Sequence, residues 1–295
     1  MTIDRRAVLN GGLAGMALAA APEAAAQTIA PRPSIKPLRI RNVTIGEGRP
    51  ALIVSIAEKT PEAALARTHQ LAAMAQVDLL EYRIDHLAAH DDADLVAASV
   101  AQVAGACAGK PLLVTFRTRA EGGKAAITPD AYARLYAAAL HHGGPDMIDL
   151  EFALCAYPAV AAVFRQAKAA GKPVVTSYHN FRETPSTAAM VDTLRAMQTF
   201  GADIPKIAVM PRDAGDALRL LEATWIMHSH HADRPLLTMA MGGTGAISRV
   251  AGETFGSALT FGAVGAASAP GQIDARKLQP ILDTLAHALA PSQAT

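Results

Sequence analysis

Short apolar runs alternate with amphipathic or alanine-rich segments through most of the chain. ALIVSI (51–56), DLLEYRI (78–84), PLLVTFR (111–117), MIDLE (147–151), PVVTSY (173–178), IPKIAV (204–209), PLLTMAM (235–241) and ALTFGAV (258–264) read as strands. Helical patterns follow them at 61–76, 91–108, 129–142, 156–170, 186–200, 213–231, 246–255 and 275–289. Near-continuous apolar strands are buried on both faces, as in a parallel sheet. Eight strand–helix units in about 240 residues fit a (β/α)8 TIM barrel, an α/β fold. An open doubly wound sheet is the competing architecture, but no GxGxxG follows the first strand. Residues 38–49 (LRIRNVTIGEGR) read as a short N-terminal β-hairpin closing the barrel floor. No domain boundary or repeat interrupts residues 38–290, which are expected to form a single catalytic domain.

Composition changes the picture mainly at the N-terminus. The chain has 295 residues, 51% hydrophobic and 18% charged, with a net charge of +1, so a nucleic-acid-binding surface has no support. Asp4-Arg5-Arg6-Ala7-Val8-Leu9 opens with paired arginines, an alanine-rich apolar segment follows, and Ala24-Ala25-Ala26 precedes Gln27. This is the form of a twin-arginine export signal over residues 1–26, which predicts a periplasmic protein. The apolar segment is too short for a stable membrane anchor. Residues 27–37 are proline-rich and read as an extended lead-in. Two cysteines, Cys107 and Cys155, lie on separate units and read as buried free thiols, although export would permit a disulfide. No Cys/His spacing suits a metal, and His228, His230 and His231 read as a solvated helix end.

A barrel gathers its chemistry at the C-terminal ends of its strands. The polar residues there include Ser55, Glu81, Arg83, Arg117, Glu151, His179, Lys206 and Gln272. Lys206 is the sole charge in Ile204–Met210. Such a lysine either reaches out to water or loses solvation, which favours a neutral amine able to form an imine. Glu81 and Arg83 share one strand face, either as an ion pair or as ligands for a polar molecule. Arg117 can grip a carboxylate or paired hydroxyls, and Glu121-Gly122-Gly123 follows it in the loop. His179 ends its strand and suits proton transfer near neutrality. Met241-Gly242-Gly243-Thr244-Gly245 lacks the lysine of a P-loop. Arg249 is expected near a helix start, where anions are favoured, and is the candidate for a substrate carboxylate. Ala267–Gln272 is a small-residue loop able to act as a lid.

Together these stretches resemble the type I 3-dehydroquinate dehydratases. The likeness is carried by SIAEKT (55–60), DLLEYRIDHL (78–87), PLLVTFRTRAEGG (111–123), MIDLEF (147–152), TSYHNF (176–181), ADIPKIAVMP (202–211) and residues 243–273, and it spans about residues 38–290. The resemblance implies a barrel that is typically dimeric and uses no metal or organic cofactor. It also implies dehydration of 3-dehydroquinate to 3-dehydroshikimate through a lysine imine. By the match, Lys206 forms the imine, His179 is the general acid/base and Glu121 orients it. Glu81, Arg83 and Arg117 hold ring hydroxyls with Ser55 nearby, and Arg249, Ser268 and Gln272 grip the carboxylate end. The chain departs from the family pattern at Tyr178-His179-Asn180, where an Asn-His-Asp-like context is expected, and at Gly242-Gly243. An export signal is foreign to the biosynthetic role and suggests periplasmic quinate catabolism. A class I aldolase-like barrel and an exported solute-binding protein for polyhydroxy acids are the alternative readings.

Overall fold

The computed structural model describes residues 34–290, so the export signal lies outside the described residues. A small antiparallel hairpin, β1 (Leu38–Ile40) and β2 (Val43–Ile45), leads in. Parallel strands β3 (Ala51–Ile56), β4 (Leu79–Arg83), β5 (Leu112–Thr115), β6 (Met147–Glu151), β7 (Val174–Asn180), β8 (Ile204–Val209), β9 (Leu237–Ala240) and β10 (Leu259–Ala263) follow in sequence order. β10 returns to pair with β3, in register from Leu259↔Ala51 to Gly262↔Val54. The seam between β9 and β10 is closed by the bridge Leu236↔Ser257, with Ala258 N donating to Leu236 O at 2.8 Å. Ser257 Oγ also accepts from Thr238 N at 3.0 Å. The result is the expected (β/α)8 TIM barrel.

Helices α1 (Pro61–Ala72), α2 (Ala93–Ala106), α3 (Pro129–His141), α4 (Pro158–Ala169), α5 (Thr187–Phe200), α6 (Ala214–His230), α7 (Ala246–Val250), α8 (Gly252–Phe255) and α9 (Ala275–Leu289) link and cover the strands. Their starts follow local chemistry. Thr60 and Thr128 cap α1 and α3, each ahead of a proline whose missing N–H costs nothing there. Asp213 caps α6, and Gly201 ends α5 in the left-handed conformation (φ 107°). The helix expected over 246–255 is instead two short helices broken at Ala251. A two-residue strand, β11 (Ile273–Asp274), pairs with β10 and was not anticipated from the apolar pattern.

Strand alternation divides the core in two. Outward residues such as Leu52, Leu80, Val114 and Ile148 pack under the helices. Inward residues Ile53, Leu79, Leu113, Met147, Val175, Ile204, Leu237 and Leu259 form a separate apolar plug low in the barrel, joined by Ile40 and Ile45 of the hairpin. The hairpin thus seals the floor. Two residues further along each strand the inward face turns polar on most strands: Ser55, Glu81, Thr115, Asp149, Ser177 and Lys206. Burying those groups demands partners, and they find them in one another. Cys107 and Cys155 are buried and free, and burial pushes their thiols up to about 11 and about 12. Among the described residues no helix is long and apolar enough to cross a membrane.

Candidate active site

A pocket of about 520 Å³, open to solvent, lies at the C-terminal mouth of the barrel. Lys206, His179, Glu121, Glu81, Arg83, Arg117, Arg249, Ser268 and Gln272 all line it. Ser55 stands one step behind, donating to Glu81 Oε2 at 2.5 Å and accepting from Ser268 Oγ at 3.0 Å.

Lys206 is 3% exposed. Its Nζ donates to Asp149 Oδ2 at 2.7 Å and lies 5.0 Å from the centroid of the Phe261 ring. β7 carries Ser177 opposite Lys206 in the ladder, and His179 two residues beyond. His179 Nδ1 lies 2.9 Å from Glu121 Oε2, which also accepts from the His179 backbone N–H at 3.1 Å. Glu121 ends a 3-10 turn, and Gly122 follows at φ 86°, where any Cβ would strike the Phe181 ring.

The two partners are shifted in opposite directions. Burial, reinforced by Arg117 and Lys206, pushes His179 well below its usual value, so its ring is neutral at pH 7. Burial also raises Glu121 to about 8, with Glu151 and Asp149 adding to the shift and Arg117 opposing it. Both shifts run toward the neutral form of each partner.

Arg117 is the hub of the site. Its Nη1 donates to Glu151 Oε1 (3.1 Å), Ser177 Oγ (2.9 Å) and Glu121 Oε2 (3.3 Å), and its Nη2 to Asp149 Oδ1 (2.8 Å). Glu81 and Arg83, which alternation places on one face, do not pair. Arg83 makes a bidentate bond to Asp85 at 2.8 and 2.9 Å, and Glu81 accepts from Ser55 and from Thr115 Oγ1 (2.9 Å).

Arg249 differs from the other cations. It is 1% exposed and forms no salt bridge among the described residues. Nη2 donates to Pro270 O at 3.1 Å, Nη1 lies 3.8 Å from Met239 Sδ, and Nε has no partner. Burial lowers its pKa to about 10. The expected helix-start setting is corrected, because Arg249 is the fourth residue of the five-residue α7. What recommends it for an anion is uncompensated buried charge, not a helix dipole.

The loop between β10 and β11 hangs over the pocket. Gly242 N donates to Pro270 O at 3.1 Å, and a Cβ on Gly271 (φ 77°) would lie 2.1 Å from Gly242 O. Gln272 Nε2 donates to Ser268 Oγ at 3.0 Å, which continues through Ser55 to Glu81. The sequence reading missed Asp149, Ser177 and Asp85. The signal for Asp149 was present in Met147-Ile148-Asp149-Leu150-Glu151, whose two acids alternate as Glu81 and Arg83 do.

Comparison with known proteins matches most of the chain to one family. The family model described as Type I 3-dehydroquinase matches residues 52–288. The 3-dehydroquinate dehydratase of Escherichia coli O8 is 44% identical over 255 residues, covering 86% of this chain and all of that protein. The 3-dehydroquinate dehydratase of Bacillus licheniformis is 44% identical over 253 residues, covering 85% and 98%. A crystal structure of the type I 3-dehydroquinate dehydratase of Clostridium difficile, with covalently modified comenic acid, superposes with a TM-score of 0.83. It is 38% identical and covers 86% of this chain and 100% of its own.

Proposed function

Because the chain belongs to the type I 3-dehydroquinase family, and so is an enzyme of 3-dehydroquinate dehydration, we propose that Lys206 performs this reaction as an imine. The observation that carries the reading is a buried primary amine in the same pocket as a neutral histidine and an arginine that has no counter-ion among the described residues. Arg249 binds the substrate carboxylate, and Ser268 and Gln272 complete that end. Glu81, Arg83 and Arg117 face the ring hydroxyls. Nζ attacks the ketone carbon, and water leaves to give an iminium. The iminium draws electrons from the adjacent C–H, so neutral His179 can take that proton. The resulting imidazolium, oriented by the contact of its Nδ1 with Glu121 Oε2, gives the proton to the departing β-hydroxyl. Hydrolysis then frees Lys206.

Borohydride trapping tests this proposal. With 3-dehydroquinate present, the reduced ligand mass is expected on Lys206, and Lys206→Ala should lose at least about a thousandfold in kcat. An unmodified Lys206, or a variant near wild-type rate, would reject the imine.

The proposal extends to place and assembly. The paired arginines and small-residue cleavage site support export, and export suits periplasmic quinate catabolism. Fractionated cells should carry the activity in the periplasm, and confinement to the cytosol would rule this out. Homodimers are expected, and light scattering at a single-subunit mass would contradict them.

A further inference from the structure

The side chain closest to the reacting nitrogen is one to which the resemblance gives no role. Asp149 is fully buried on the inward face of β6, between Met147 in the plug and Glu151 at the mouth. Its Oδ2 accepts from Lys206 Nζ at 2.7 Å. Its Oδ1 accepts from Arg117 Nη2 at 2.8 Å and from Ser177 Oγ at 2.5 Å. Arg117 has two further carboxylates, Glu121 and Glu151. Among the described residues, Lys206 is paired with Asp149 alone.

We propose that Asp149 is the positioning residue and fixed counter-charge of the Lys206 nitrogen, directing Nζ into the pocket and neutralising it both as ammonium and as iminium. The inference rests on the imine reading above. Condensation forms the N–C bond and breaks the C–O bond, and the carbonyl oxygen leaves as water with two of the three ammonium protons. Nitrogen therefore carries one positive charge before and after the step. A buried, immobile carboxylate matches both states without moving a proton. Burial alone would raise Asp149, but Arg117 and then Lys206 and His179 override it and hold the carboxyl well below its usual range. Asp149 thus stays ionised. The proton shed when the amine attacks has neutral His179 to receive it.

The test compares wild type with Asp149→Asn, an isosteric change that removes the charge and leaves one acceptor oxygen in place of two. Three readouts are taken: the rate of borohydride-trapped adduct formation with 3-dehydroquinate, the split between kcat and KM, and affinity for the analogue whose ketone is reduced to an alcohol. Adduct formation and kcat are expected to fall about a hundredfold or more, while analogue affinity changes less than about threefold. A merely structural role would weaken both together, and that result, or trapping at the wild-type rate, would overturn the proposal. Should Asp149→Asn fail to fold, Ser177→Ala decides. It removes one donor to Oδ1 and leaves the Lys206 contact, so trapping about fivefold slower supports the proposal and an unchanged rate overturns it. Failure of wild type to trap at all would instead sink the imine reading.

Discussion

At the scale of single residues the site is a matter of charges that are matched and one that is not. Arg83, Arg117 and Lys206 each meet a carboxylate within 3 Å, whereas Arg249 meets a carbonyl and a thioether. An arginine held at about 10 instead of 12.5 opposes folding by on the order of 3 kcal/mol at neutral pH, a cost that fades only as pH rises from 10 toward 12.5. Arg249→Met is therefore expected to raise the melting temperature of the ligand-free enzyme by several degrees and to raise KM about a hundredfold. Calorimetry and steady-state kinetics on one preparation check both halves. A variant that is less stable with unchanged KM would contradict this account of Arg249.

At the scale of elements, much was legible and the reasons are specific. All eight barrel strands and the floor hairpin followed from apolar alternation, since a strand buried on both faces leaves few polar positions. His179 and Arg117 were visible because each stands at the C-terminal end of such a run, and Lys206 because it is the sole charge inside one. The partners of these residues were not legible. Whether Arg83 turns to Glu81 or to Asp85 depends on how β4 unwinds into the following 3-10 turn, which no local pattern encodes. Asp149 escaped notice because its neighbours Ile148 and Leu150 made the run look like plain core. The break at Ala251 was hidden too. Helical periodicity runs through it unbroken, although α7 ends at Val250 and α8 begins at Gly252.

At the scale of the whole molecule, buried titrating groups link the site to global stability. Glu121 keeps its proton to about 8 in the folded chain but releases it near 4.5 when unfolded, so rising pH favours unfolding between those values. His179 acts oppositely and only below its unfolded value of 6.5, where the unfolded chain binds the extra proton. Between pH 6.5 and 8 only the Glu121 effect remains of the two. Denaturant titrations should show stability declining by up to about 2 kcal/mol across that interval, and Glu121→Gln should flatten the slope. An identical slope in the variant would place the effect elsewhere. The plugged floor governs traffic as well as packing. Among the described residues, Ile40, Ile45 and the lowest ring of inward side chains leave a vessel with a sealed base that opens at the C-terminal mouth. On the imine route two water molecules are expelled and one admitted in every cycle, and all three must cross the threshold that the ring-shaped substrate itself uses. Drainage and delivery therefore share one passage.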